Sequence, residues 1–384
     1  FINNCQFIDN TAGHGGAINI EEYCSAIITN CTFDGNCATD LELGLGGAIC
    51  SDIKTYTVLI NSTFKDNTAK QLGGAICTDS TSCLLSVNNT FENNIAEKSG
   101  GGIYTAPKSQ IKIENNIFIK NEATYGSAVC TRGRSTLTIT DCSFSENKAA
   151  DLGGAVCPGE NNIVTINNTE FNKNQAKLGG AICLSTNTNL NMAEITFTQN
   201  NAENGGAIYG TKNNNINMKN IQLNNNVATK SGGAIIIGEN TLITATNTTF
   251  TSNKANLGGA ILSGINSEIT IDDSKFTQNS AENGGAIYTE KNSNIQIKNA
   301  ELTDNTATTI GGAICIGENN LLTLNNISFN KNQGKLGGAI CLSANSNMNI
   351  ETITFTQNSA ENGGAIYGTK NNNIIMKNIQ LNNN

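Results

Sequence analysis

The chain has no Trp, two Pro, one His and two Arg, and only 14% of its residues are charged. Each shortage excludes something. Phosphate recognition needs clustered Lys and Arg. With a net charge of −8 and Arg132 and Arg134 as the only arginines, a nucleic-acid partner is excluded. No apolar run approaches the ~20 residues of a membrane helix, so no membrane insertion is expected within this stretch. The 13 cysteines lack Cys-x₂-Cys spacing and His14 is the sole imidazole, which argues against a zinc site. No window keeps the i, i+3, i+4 apolar spacing of a helix. Disordered chains are rich in Pro and charge. A chain dominated by Asn, Gly, Thr and Ile is neither, and it reads as ordered.

What is present is a repeat. Gly-Gly-Ala-Ile, or a close variant, begins at fourteen positions from Gly15 to Gly363; after an opening step of 31 residues the spacing is 26 or 27 throughout. The variants include Gly102 for Ala and Ser127 with Val129, each a conservative swap. Residues 171–226 and 329–384 agree at 47 of 56 positions, an offset of six repeats, and a weaker match at 79 residues makes three repeats the unit of duplication. The whole of 1–384 therefore reads as one continuous array. It starts at Phe1 and stops at Asn384 inside repeats, as a fragment of a longer chain would.

One repeat shows the local logic. In 197–222, Phe197–Asn200 ends an extended segment, Ala202–Asn204 reads as a polar turn, and Gly205–Tyr209 opens a second extended segment. After a turn at 210–215, Ile216–Ile221 alternates apolar and polar with the period of a strand. Three short strands with one apolar face each cannot bury that face alone. Coiling the chain so that each strand lies on its equivalent one repeat earlier does bury it. The expected fold is all-β, a right-handed parallel β-helix of about fourteen coils with three short strands per coil; a left-handed hexapeptide helix would need six-residue steps. At a strand spacing of about 4.8 Å such a stack is on the order of 65–70 Å long.

Stacking like on like assigns the columns. Phe33, Phe64, Phe91, Phe118, Phe144, Phe171, Phe197, Phe250, Phe276, Phe329 and Phe355 should form an interior stack, with Leu223, Leu302 and Leu381 as near-isosteric substitutes. Three residues on, Asn36, Asn67, Asn94, Asn121, Asn147, Asn174, Asn200, Asn226, Asn253, Asn279, Asn305, Asn332 and Asn358 are placed for an asparagine ladder along a bend. The paired glycines suit corners where a Cβ would crowd the next coil or where φ is positive.

Repeated Gly-Gly-Ala-Ile with Phe-x-x-Asn is similar to the polymorphic outer membrane protein repeats of chlamydiae, which also occur in surface proteins of some protists. Fifteen Phe/Leu-x-x-Asn copies from Phe7 to Leu381 carry the resemblance over essentially the whole chain. It implies a parallel β-helix working at a cell surface as an adhesin or structural element. Bacterial members end in an outer-membrane β-barrel, and nothing in this chain resembles one.

Three further constellations stand beside the repeat. Six Asn-x-Ser/Thr sequons occur, at Asn30, Asn61, Asn88, Asn167, Asn247 and Asn326; five lie three residues before the motif Phe and Asn167 lies four before Phe171. Coincidence in an Asn-rich chain is one reading. A stripe of covalent N-glycans down one edge is the other, and it is the expectation here. No other cofactor is expected. The cysteines also form columns, and Cys5–Cys31, Cys50–Cys77, Cys130–Cys157 and Cys315–Cys341 fall on adjacent coils. Their Cα atoms are then about 4.8 Å apart, inside the disulfide range. These four are candidate disulfides of an oxidising compartment; small buried filler is the alternative. Catalysis on a polysaccharide needs close carboxylates on long loops. Only the insertion at Asp40–Leu45, with Asp40 and Glu42, offers one, and it reads as a solvated turn, as do Glu21-Glu22, Asp272-Asp273 and Arg132-Gly133-Arg134. The expectation is an extracellular, non-enzymatic structural glycoprotein of a cell surface or filament. Its partners would be further copies of itself, head to tail or lateral. The rival is an adhesin that binds cell-surface receptors or glycans, and a lyase or hydrolase comes third.

Overall fold

A computed structural model describes residues 1–384, which are all-β without a helix. It forms two compact units, Phe1–Asn191 and Met192–Asn384. Each is a parallel β-solenoid, and the coil can be followed in either.

In the first unit one coil runs through Tyr56–Ile60, Thr63–Lys65, Thr68–Ala69 and Ile76–Thr78 before Cys83–Val87 starts the next. Every strand pairs in parallel with its equivalent one coil away. Phe64 lies between Phe33 and Phe91, and Ile76 between Ile49 and Ile103. The second unit repeats this with Leu242–Thr246, Thr249–Thr251 and Ile261–Ser263, where Phe250 pairs with Phe276 and Ile261 with Ile287. The inward side of each strand carries the apolar half of the alternation: Leu84, Ile111 and Leu137 in one unit and Ile243, Ile269 and Ile295 in the other are buried.

The corners explain the composition. Each coil turns at single residues in the left-handed region: Asn61 (φ +50°), Asp66 (+53°), Gly73 (+67°) and Thr81 (+60°) in one coil, and Asn247 (+48°), Ser252 (+54°), Gly258 (+62°) and Asn266 (+54°) in another. Asn and Asp tolerate this conformation better than other non-glycine residues. Four such corners per coil demand an Asn-rich chain with almost no Pro, whose φ is fixed near −65°. The stretch Ala202–Asn204, expected as a polar turn, is instead part of a strand, Asn201–Asn204, paired with Val227–Ser231. Ala202 lies on Ala228 facing in, and small polar neighbours hid the strand because they carry no apolar alternation.

The phenylalanine column runs up the interior. From Phe7 to Phe171 successive ring centroids are 4.7–4.9 Å apart with planes within 8°. That distance is the strand spacing, so the backbone register sets the stack. In the second unit Phe250–Phe276 and Phe329–Phe355 stack at 4.5 and 5.0 Å. Leu223 and Leu302 take the same column there, both fully buried. Changing Phe276 to Leu should therefore cost less than ~1.5 kcal/mol, as a near-volume-conserving swap does. A urea midpoint shift equal to that of Phe276→Ala would show that ring stacking, not volume, is what the column needs.

Candidate functional site

The buried asparagine column is a closed hydrogen-bond system. In the first unit the Nδ2 of Asn67 donates to Asn94 Oδ1 at 2.9 Å and to the Phe33 carbonyl at 3.0 Å. Its Oδ1 accepts from the backbone N–H of Asn36 at 3.1 Å and from Asn36 Nδ2 at 2.9 Å. All four hydrogen-bonding sites of the amide are used, and the side chain is fully buried. The same pattern runs from Asn36 through Asn94 and Asn121 to Asn147, which donates to Asn174. In the second unit it runs from Asn200 through Asn226, Asn253, Asn279, Asn305 and Asn332 to Asn358.

A second asparagine column lies outside, and it holds the sequons. Asn30, Asn61, Asn88, Asn247 and Asn326 are exposed, each at a left-handed corner with φ between +48° and +56°. Their amides form a looser ladder, with Asn88 Nδ2 donating to Asn61 Oδ1 at 3.1 Å and Asn326 Nδ2 to Asn299 Oδ1 at 2.9 Å. Asn167 differs. It is half-buried within the strand Ile163–Asn172, while Asn168 occupies the corner, and the hydroxyl of its sequon Thr169 is turned inward onto the Asn167 carbonyl at 2.7 Å.

All thirteen cysteines are free thiols. Cys5 and Cys31 are stacked but unbonded: the Cys31 thiol donates to the Thr29 carbonyl at 3.1 Å and accepts the backbone N–H of Cys5 at 3.4 Å. Cys142 likewise donates to the Thr140 carbonyl at 3.1 Å, the role Ser62 plays toward Ile60. In this column sulfur stands in for a hydroxyl. Cys50–Cys77, Cys130–Cys157 and Cys315–Cys341 are in direct register. In-register parallel strands keep their Cα–Cβ vectors parallel, so the Cβ atoms also sit about 4.8 Å apart, outside the ~3.5–4.5 Å that a disulfide needs. The Cα separation behind the expected pairing was thus only half the criterion. Hydrogen bonding to Cys157 and burial push the Cys130 thiol well up; burial pushes Cys142 up to about 11.

A thiol reagent at neutral pH should reach Cys24, which is exposed, and the half-buried Cys5, Cys37 and Cys83, leaving nine cysteines protected until the chain is unfolded. In denaturant all thirteen should react; each disulfide would lower that count by two. Because the folded Cys142 titrates above the ordinary ~8.5 of a thiol, its contribution to stability is complete below that pH. It is lost as pH rises through about 11.

The acidic insertion is occupied with its own turn. Asp40 Oδ1 accepts the backbone N–H groups of Glu42 at 2.9 Å and Leu43 at 3.1 Å, and these bonds, Glu42 first, hold its carboxyl below the usual range. Asp272 pairs with Lys298 at 3.0 Å, and Arg134 is a left-handed corner residue. Next to the insertion the first unit has a cavity of about 380 Å³ lined by Leu45, Leu72, Cys50, Cys77 and Tyr104 together with Glu21, Asp52 and Asp79. Sequence reading passed over Asp52 and Asp79. The available signal was their register two residues beyond Cys50 and Cys77, as Glu21 lies two beyond Asn19.

Residues 1–157 match the family model described as right handed beta helix region. Residues 168–185, 194–211, 247–264, 273–290, 326–343 and 352–369 match the Chlamydia polymorphic membrane protein repeat. Each of these six segments starts three residues ahead of a motif Phe and runs through the next Gly-Gly-Ala-Ile corner. No curated protein matches the chain.

Proposed function

We propose, from the premise that this chain is a repeat protein of the chlamydial polymorphic-membrane-protein type folded as a right-handed β-helix, that it is a non-catalytic structural glycoprotein of a cell surface or extracellular filament. The observation that carries this reading is the buried amide ladder. Each asparagine is satisfied only by the coil above and the coil below it, so the chemistry of the chain is spent on its own propagation. The exposed sequon corners support glycans on one edge. The repeat is self-complementary, and its partners are further copies of itself, head to tail or side by side.

The test is electron microscopy of protein secreted by an N-glycosylating host, combined with peptide mapping of Asn30, Asn61, Asn88, Asn247 and Asn326. Filaments of uniform width with glycan on these asparagines are the expected result. Separate particles at every concentration, or bare asparagines, would remove the filament or the glycoprotein half respectively. The cavity beside Tyr104 favours a second reading, a surface adhesin that holds a small polar ligand such as a glycan terminus. A glycan array that stays blank would count against it.

A further inference from the structure

We propose that the N-glycans of the sequon edge fold back along the outer face of their own coil and cover the exposed apolar side chain that opens the same strand. The inference rests on the glycoprotein reading above. It comes from a coil-by-coil coincidence on the outward side of the long strands. The first position of these strands is one column: Tyr56 lies beside Cys83 and Thr136 beside Ile163, and Leu242 and Leu321 each lie beside polar neighbours. It is apolar at Tyr56, Cys83, Ile163, Leu242 and Leu321, and each of these is followed four or five residues later by a sequon asparagine. Coils without a sequon put a polar residue there, from Gln110 and Thr136 to Glu268, Asn294 and Asn347.

The sixth sequon coil begins with Ser25 but exposes Ile27 two residues on. Among exposed apolar residues on the outward side of this sheet, Ile8, Ile117 and Ile375 belong to coils without a sequon, but none of the three occupies the first position of the long strand. Ile163, Leu242 and Leu321 recur at 79 residues as copies within the duplicated unit, and Cys83 lies three coils before Ile163 on the same phase; Tyr56 lies outside it and obeys the same rule.

The exposure needs an occupant. Tyr56 is 47% exposed, Ile163 51%, and Leu242 and Leu321 37% each. The outward positions around Ile163, Leu242 and Leu321 are mostly polar, whereas those around Tyr56 include Val58, Ile60, Leu85 and Val87. Five residues of strand span about 16 Å, a distance an N-linked oligosaccharide covers with its first few rings. Sugar rings present C–H faces that an apolar or aromatic side chain can desolvate. The asparagine keeps one amide N–H after glycosylation, enough for the outer-ladder bond, such as that of Asn247 to Asn220 Oδ1 at 2.9 Å.

The experiment is hydroxyl-radical footprinting of the chain secreted from an N-glycosylating host, read residue by residue by mass spectrometry. It is compared with the double variant Thr249→Ala, Ser328→Ala, which deletes two sequons but keeps Asn247 and Asn326. Occupancy is read from the same peptides. Oxidation of Leu242 and Leu321 should rise about twofold or more when the glycans are lost, as covered apolar surface returns to water. Leu41 and Leu43, exposed on the insertion, should not change. Equal oxidation with occupied asparagines overturns this inference and leaves the glycoprotein standing. Bare Asn247 and Asn326 overturn both.

Discussion

Replacing Asn279 by Ala should destabilise the second unit by about 3–6 kcal/mol, the sum of two or three buried polar groups left without partners at ~1–3 kcal/mol each. The groups are specific. Asn279 Oδ1 accepts from the backbone N–H and the Nδ2 of Asn253, both at 3.0 Å, and its Nδ2 donates to the Phe250 carbonyl at 2.9 Å and Asn305 Oδ1 at 3.0 Å. Truncation strips partners from the Asn253 donors and the Phe250 carbonyl on one neighbouring coil and from Asn305 Oδ1 on the other, in a column fully shut off from water. Asn279→Asp separates shape from hydrogen bonding. It preserves volume but points a second oxygen at two acceptors, and a buried unpaired charge is costlier than a buried unpaired amide. The order of urea midpoints should be Asn, then Ala, then Asp at neutral pH. Because a solenoid is held mainly by nearest-neighbour interfaces, hydrogen exchange should concentrate the loss in the coils that carry Asn253, Asn279 and Asn305. A loss under about 1 kcal/mol, the worth of one ordinary hydrogen bond, would mean the column tolerates water and is not a closed ladder.

The chain has already run part of this comparison. The exposed outer column, whose residues sit at left-handed corners, admits Asp141, Asp273, Glu194 and Thr352 among its asparagines. The buried column is asparagine at every coil from Asn10 to Asn384. The buried asparagines are not themselves in the left-handed region, since that corner falls one residue earlier, at Asp66, Asn93 or Glu146. It is therefore the buried, fully paired amide and not backbone conformation that fixes asparagine there.

That contrast also marks what sequence could and could not deliver. A period of 26 or 27 with Phe33, Asn36 and Gly46 at fixed offsets specifies a coil, because identical residues one turn apart can only stack. The columns were therefore readable. The corners were less so: Asp66, Thr81 and Lys108 share a left-handed conformation but no residue type, and nothing in their chemistry announces it. The Asn201–Asn204 strand was hidden because pairing there comes from position on the coil, not from alternation. The choice between thiol pairs and buried filler stayed open in the sequence because spacing along a chain reports Cα separation and is silent on the direction of Cβ. The cavity beside Tyr104 arises from the outer side of the Cys50 and Cys77 column, where three acidic residues come into register only after coiling.

The second large effect is expected at the first glycine of the paired motif. Gly73→Ala should cost about 2–5 kcal/mol, against about 1–2 kcal/mol for Asp66→Ala in the same coil. Both positions have positive φ, +67° and +53°, so the intrinsic penalty on an alanine is similar. They differ in the space beyond the backbone. Asp66 is exposed, whereas a Cβ on Gly73 would run into the carbonyl group of Ile76, three residues on in the same chain. That carbonyl cannot retreat, because Ile76 is pinned in register between Ile49 and Ile103. The same collision recurs at Gly46 with Ile49 and at Gly258 with Ile261. It gives the physical reason this corner is glycine in all fourteen copies while the other three corners of the coil vary. Equal losses in thermal melts of Gly73→Ala and Asp66→Ala would make φ alone responsible and leave that invariance along the chain without a cause. A clear excess at Gly73 would identify the close approach to the Ile76 carbonyl as the constraint that fixes where each coil turns.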